Sequence, residues 1–266
     1  MNSETIDASK APLLAHLTEL RTRLLYCLAA FLCAFALAYY YSDYLFGFLT
    51  QPLLDAFGAD SNRRMIYTGL HEAFFTYLKL SFFAAACVVL PFALNQVWKF
   101  VAPGMYEHEK KSLRPAFIAT PLLFLVGASL AFYGVFPLAW KFFLGFENPG
   151  LSGGVAVALE ARISEYLALV TRLILAFGLT FELPVLLLVL AKVGIVTSDT
   201  LRRYRKHAIV VAFLLAALIT PPDIISQIAL GTPIVLLYEL SIWLVIWTGA
   251  DSEAKQRASV KAAHMS

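Results

Sequence analysis

The chain of 266 residues is 60% hydrophobic and only 15% charged, with a mean hydropathy of +0.72 and a formal charge of +3. A soluble domain averages about 25% charged residues, so this composition excludes a soluble globular protein and predicts an integral membrane protein. The three cysteines, Cys27, Cys33 and Cys87, lie in apolar segments without CxxC spacing. They therefore indicate neither a metal site nor a disulfide framework.

Six apolar segments follow one another along the chain, at about residues 24–41, 72–98, 114–140, 166–191, 208–222 and 225–247. A helix needs about 20 apolar residues to cross a hydrocarbon core of about 30 Å. The fifth segment is shorter, at about 22 Å, because Pro221 and Pro222 prevent its continuation. The pattern predicts an all-α integral membrane protein with six transmembrane helices.

Lysine and arginine are distributed unevenly between the two sets of loops. The N-terminus, the links 99–114 and 192–206 and the C-terminal tail hold 15 of the 21, whereas the loops near 46–71 and 141–165 hold four. The positive-inside rule therefore predicts that both termini are cytoplasmic. The predicted organisation is an amphipathic segment over 1–23, a membrane domain over 24–248 and a disordered tail over 249–266, which is rich in Ala, Lys and Ser.

The second and third segments are joined by a dense polar link, NQVWKFVAPGMYEHEKK, over residues 95–111. Upstream, in HLTELRTRLL, Glu19 lies on one helix face with His16 and Arg23. One interpretation of Glu19 is an intrahelical ion pair with Arg23, which contributes about 0.2–0.5 kcal/mol. The other is that Glu19 and Glu109 receive a cationic ligand, because a carboxylate accepts a guanidinium in bidentate fashion. Glu107 competes with Glu109 for this role.

Further polar residues interrupt the last three apolar segments. Glu182, in FGLTFELP, has no obvious charge partner at its depth, so it should face the protein interior or a wet cavity. It is either a protonated Glu bonded to a neighbouring helix or a polar contact for a partner's segment. The second polar set comprises Thr220, Asp223, Gln227 and Glu239. Three interpretations of this set are open. Asp223 caps the sixth helix, Gln227 and Thr220 form a hydrogen bond with each other, or these polar side chains form hydrogen bonds with a partner's transmembrane helix.

Five ordered motifs give the chain a family resemblance: HLTELRTR, FFTYLKLSFF, PFALNQVWKFVAPGMYEHEKK, FGLTFELP and TPPDIISQIALGTPIVLLYE. Over about residues 13–246 the sequence resembles the TatC component of the twin-arginine protein translocase. The resemblance implies a concave six-helix protein of the bacterial cytoplasmic membrane with both termini cytoplasmic. It implies a signal-peptide site at Glu19 and Glu109, with Glu182 as the buried carboxylate of the concave face. The surface around this site would include Arg21, Phe100, Pro103 and Tyr106. The partner-helix site would include Thr220, Asp223 and Gln227.

The resemblance also implies binding rather than catalysis. Its expected partners are twin-arginine signal peptides of folded cargo, single-span TatA-like and TatB-like subunits, further copies of the chain and the lipid bilayer, with no nucleic acid and no cofactor. Export would be driven by the proton motive force. The sequence has no Ser/His/Asp, metal-ligand or Gly-rich phosphate pattern, so an enzyme is not predicted. The alternatives are a proton-coupled secondary transporter with Glu182 as the titrating group, and a structural scaffold.

Overall fold

The structure, a computed structural model, describes residues 3–58, 64–101, 107–148, 158–219 and 224–249. The side chains of residues 3–15, 98, 101, 107–114, 116 and 225 lie outside this description. Every element in the described ranges is a helix, apart from an isolated parallel bridge between Ile66 and Arg162. The predicted all-α fold is therefore confirmed.

The first helix, α1 (Ser3–Tyr40), is continuous through the predicted amphipathic segment and the first apolar segment. The helix is thus unbroken at residue 23, where the amphipathic segment was predicted to give way to the membrane domain. After a turn at Tyr41 the chain forms α2 (Ser42–Phe57), which buries Leu49 and Leu53. Most of this stretch was predicted to be a loop, so α2 is an element that the sequence pattern did not indicate.

A long pair of antiparallel helices follows. The helix α3 (Glu72–Val101) leads through residues 102–106 into α4 (Glu107–Ser129), which continues as a π-helical segment (Leu130–Val135) and then as α5 (Phe136–Leu144). Pro137 lies in the first turn of α5. Proline supplies no amide hydrogen to the preceding turn, and the wider π-helical turn accommodates this loss without ending the helix.

The second half contains α6 (Ile163–Phe181), α7 (Leu183–Lys192), α8 (Ser198–Arg203), α9 (Arg205–Ile219) and α10 (Ile224–Trp247). The break between α6 and α7 falls at Glu182 because Pro184 follows in the next turn. Thr197 caps α8 by accepting a hydrogen bond from the amide of Thr200 at 3.2 Å.

Five stretches of the described helices are long and apolar enough to cross a membrane: His16–Tyr40, Glu72–Val97, Phe117–Leu144, Ile163–Lys192 and Ser226–Trp247. They coincide with five of the six predicted segments. The remaining predicted segment corresponds to α9, whose 15 residues extend about 22 Å. A multi-pass protein is confirmed, whereas the count of six spans and the orientation of the termini stay predictions.

The buried core lies between the helices in two clusters. The larger joins α2, α3, the π-helical segment, α5 and α6 to α9 and α10, through side chains such as Leu53, Phe136, Phe177 and Leu230. The smaller joins α7, α8 and α10. Helix α1 stands outside both clusters and packs along α3, where Phe31 meets Phe82 with ring centroids 4.9 Å apart. Most of its apolar surface is therefore left for lipid.

Candidate functional site

The N-terminal part of α1 lies against the C-terminal end of α3, just before the polar link. The ring of His16 stacks on that of Phe100, with centroids 4.2 Å apart and planes 17° from parallel. Arg23 donates hydrogen bonds to Gln96 Oε1 at 3.3 Å and to the carbonyl oxygen of Lys99 at 3.2 Å. These contacts fix the register between the two helices at the point where α3 ends.

Glu19 is held inside this junction by its own helix. Arg23 Nε donates to Glu19 Oε1 at 3.0 Å, and a second guanidinium nitrogen contacts the same oxygen. The intrahelical pair, one of the two interpretations of the sequence, is therefore present. The second oxygen, Oε2, lies 3.9 Å from His16 Nδ1, and the Glu19 side chain is 37% exposed. The carboxylate is oriented by Arg23 and still has surface available to a ligand.

The structure describes only some of the other residues of the predicted signal-peptide site. Phe100 is half-buried beside His16, and Arg21 is exposed on α1. Glu109 lies in the first turn of α4, although its side chain is not among those described. Pro103 and Tyr106 lie outside the described residues. The structure thus brings Glu19 close to Phe100 and leaves the position of the Glu109 side chain as a prediction.

Gln96 is part of this cluster, and the sequence analysis did not single it out. Its side chain is 9% exposed, and it accepts a hydrogen bond from Arg23, which is 73 residues earlier in the chain. The local signal for this contact is a polar side chain that follows a long apolar stretch, in the last turns of α3. The pairing itself depends on how α1 and α3 pack.

Glu182 lies between α6 and α7, and its buried Oε1 oxygen has no hydrogen-bond partner among the described residues. Thr120, which is buried on α4, is the hydrogen-bonding neighbour of this carboxyl group. The facing helices approach closely at two glycines: a Cβ on Gly127 would lie 2.5 Å from the carbonyl oxygen of Phe177, and one on Gly178 would overlap the ring of Phe124. The small residues allow α4 and α6 to pack at backbone distance beside Glu182.

The predicted partner-helix residues are described only in part. Thr220 and Asp223 lie outside the described residues. The side-chain amide of Gln227 donates to the carbonyl oxygen of Phe213 at 3.4 Å, a long hydrogen bond that joins α10 to α9. Nearer the other end of α9, Arg205 donates to Glu239 Oε2 at 2.8 Å. The last two helices are therefore linked by polar contacts at two levels.

A polar cluster that the sequence analysis missed lies at the far face, the end of the bundle opposite Glu19. Glu72 is 9% exposed and accepts hydrogen bonds from the amides of Thr68 and Gly69, from the hydroxyl of Ser164 and from Arg162 at 3.1 Å. The hydrogen bond to Glu72 is the main reason why the pKa of Arg162 is raised above its ordinary value. This cluster joins the start of α3 to the start of α6.

The helices and the polar junction between α1 and α3 define a multi-pass helical membrane protein that carries a polar cluster at one end of its bundle. Residues 15–233 match the family model described as Sec-independent protein translocase protein (TatC). The chain therefore belongs to the TatC family.

Two relatives and one solved structure are similar to this chain over most of its length. The TatC protein of Magnetococcus marinus is 46% identical over 258 residues, covering 96% of this chain and 92% of the relative, and that of Rickettsia prowazekii is 48% identical over 227 residues, covering 85% and 89%. A crystal structure titled as the twin-arginine translocase receptor TatC superimposes with a TM-score of 0.73 at 36% identity, covering 88% of this chain and 99% of that one. The chain is thus a multi-pass membrane component of the Tat translocase, a transport protein that works with other Tat subunits.

Proposed function

We infer that the chain is the signal-peptide receptor and core membrane subunit of a bacterial twin-arginine translocase. In this proposal it binds the paired arginines of signal peptides on folded cargo at the cytoplasmic surface of the inner membrane. Export is then driven by the proton motive force. The observation that carries the proposal is the position of Glu19, held by Arg23 against the end of α3 immediately before the link to Glu109.

The recognition step follows from carboxylate chemistry. Arg23 occupies the Oε1 oxygen of Glu19, whereas the Oε2 oxygen lies 3.9 Å from His16 Nδ1 and the side chain is 37% exposed. A guanidinium arriving from a signal peptide can pair with Oε2, and Glu109 would receive the second arginine. Charge-assisted hydrogen bonds of this kind are stronger than neutral ones, and the planar fork of arginine uses them better than the ammonium of lysine. Phe100, Arg21, Pro103 and Tyr106 would shape the surrounding surface.

The apolar part of the signal peptide would then insert along the bundle toward Glu182. The buried Oε1 oxygen of Glu182 has an unmet hydrogen-bonding requirement, so a polar group of an inserted segment would relieve a desolvation cost. Thr220, Asp223 and Gln227 would contact the single span of a TatA-like or TatB-like partner. In the complete proposal, six spans place both termini in the cytoplasm and several copies of the chain assemble in one complex.

Export of a twin-arginine reporter by single-residue variants tests this proposal. Glu109→Gln and Glu19→Gln should each lower export at least tenfold, because each removes one charged acceptor while keeping the size of the side chain. Glu160→Gln is the matched control, since Glu160 is exposed and lies in the link before α6. Normal export by both site variants, at an equal amount of protein in the membrane, would contradict the proposal.

A further inference from the structure

Two cavities lie along one face of the helix that runs from α4 through the π-helical segment into α5. The first, of about 280 Å³, is bounded by α2, α3 and α4 and has a largely apolar lining that includes Phe48, Cys87 and Leu125. The second, of about 290 Å³, lies between α2 and α5 toward the far face. Phe132 and Tyr133, in the π-helical segment, line both cavities. The two cavities therefore adjoin at these two residues, and the pair is called the groove.

The groove has the length of one leaflet of a bilayer. Its lining residues on the shared helix extend from Phe124 to Lys141, a distance of about 25 Å along the helix. Half of a bilayer with its headgroups is about 20–22 Å thick. At its rim Leu125 is 60% exposed and Tyr133 is 70% exposed, so the groove opens sideways toward lipid. A local π-helical turn is also a frequent mark of a functional position in a helix.

Opposite charges lie at one end of the groove only. Asp55 and Lys141 both line the far cavity, and Asp55 Oδ1 accepts a hydrogen bond from Gln51 at 2.8 Å. Within the described residues, Lys141 and the second oxygen of Asp55 have no partner. An ammonium and a carboxylate at the headgroup end, followed by an apolar channel, complement a zwitterionic lipid whose phosphate and ammonium lie side by side.

We propose that this groove binds one aminophospholipid of the phosphatidylethanolamine class. Lys141 contacts the lipid phosphate, Asp55 and Gln51 receive its ammonium, and one acyl chain lies in the apolar cavity beside Cys87. The chemistry of the lining favours a lipid over a partner helix, because a phosphate and an ammonium pair with Lys141 and Asp55 at one end while an acyl chain fills the apolar lining beyond them.

Native mass spectrometry of the detergent-solubilised protein tests the headgroup contacts. Phosphatidylethanolamine should be retained at least fivefold more than phosphatidylcholine, whose quaternary ammonium donates no hydrogen bond, and more than phosphatidylglycerol, which has no cation. Lys141→Gln and Asp55→Asn should each lower its occupancy at least threefold, whereas Lys141→Arg should retain it. Lys79→Gln is the matched control, because Lys79 is exposed and lines neither cavity. Equal retention of the three lipids, or equal occupancy in all variants, would overturn the proposal.

A phosphatidylethanolamine with a photoreactive acyl chain tests the apolar half in native membranes. Adducts should concentrate on residues 124–133 and should fall at least threefold in Ser129→Trp, which fills the cavity that Ser129 lines. Monodispersity and helical circular dichroism of each variant show whether it is folded. If Ser129→Trp does not fold, Lys141→Gln replaces it, because its adducts on residues 124–133 should also fall at least threefold relative to Lys141→Arg. Adducts spread evenly over the exposed face of α1 would show bulk lipid and contradict a specific site.

Discussion

Alanine at four different glycines should change stability in opposite directions. Gly47, on α2, has open space where a Cβ would lie. Replacing a helical glycine by alanine in open space stabilises a helix by about 0.5–1 kcal/mol. Gly47→Ala should therefore raise the free energy of unfolding by that amount.

The glycines between α4 and α6 should behave differently, because added atoms there meet the facing helix. On Gly127 a Cβ would lie 2.5 Å from a backbone oxygen of Phe177, which moves only if the helices separate. On Gly178 it would meet the ring of Phe124, which is 4% exposed. Overpacking costs about 1–3 kcal/mol, so Gly127→Ala and Gly178→Ala should each destabilise by about 1–2 kcal/mol after the gain in helix propensity.

Unfolding in mixed micelles with a rising fraction of denaturing detergent measures this series, since the same substitution is made at every position. Gly134→Ala should fall between the extremes, because its Cβ would meet only the flexible end of Leu130 at 3.3 Å. If Gly127→Ala were as stable as Gly47→Ala, the close packing of α4 on α6 beside Glu182 would be wrong.

Three further substitutions test the polar clusters. Arg23→Met removes two hydrogen bonds that join α1 to α3. It should weaken that junction by about 1–2 kcal/mol and speed hydrogen exchange at residues 16–23. Unchanged exchange would contradict these contacts. Arg162→Gln should speed exchange at residues 66–69, whereas Glu165→Gln, which removes only a pair within one helix turn, should not. Glu182→Gln should keep export within about twofold, because a hydrogen-bonding contact needs no titration; complete loss would favour the proton-coupled alternative.

Much of the fold could be predicted from the sequence, because a long apolar segment in a membrane can form few structures other than a helix. Five of the predicted segments coincide with helices of membrane-spanning length, and the short fifth segment matches α9. Helix α2 was missed because it is short and amphipathic and contains Pro52. The spacing of Leu45, Leu49 and Leu53, four residues apart, is the signal that would have found it.

The candidate site was predictable to the extent that its contacts are local. The pair of Glu19 and Arg23 follows from their spacing of four residues, and the structure contains it. The contact of Arg23 with Gln96 and the link between Glu72 and Arg162 join residues 73 and 90 positions apart. Such pairs depend on the register of packed helices and on the path of loops, which a single sequence does not specify.

Photo-crosslinking from position 110, with Glu19 and Glu109 both intact, tests the central claim most directly, because it asks whether the surface formed by Glu19 and the link to Glu109 recognises arginine. Membranes containing a photoreactive residue at position 110 are mixed with a twin-arginine signal peptide or with the same peptide carrying twin lysines. The account predicts a strong adduct with the arginine peptide only, since lysine keeps the charge but lacks the planar fork. Equal adducts with both peptides, or none with either, would contradict it.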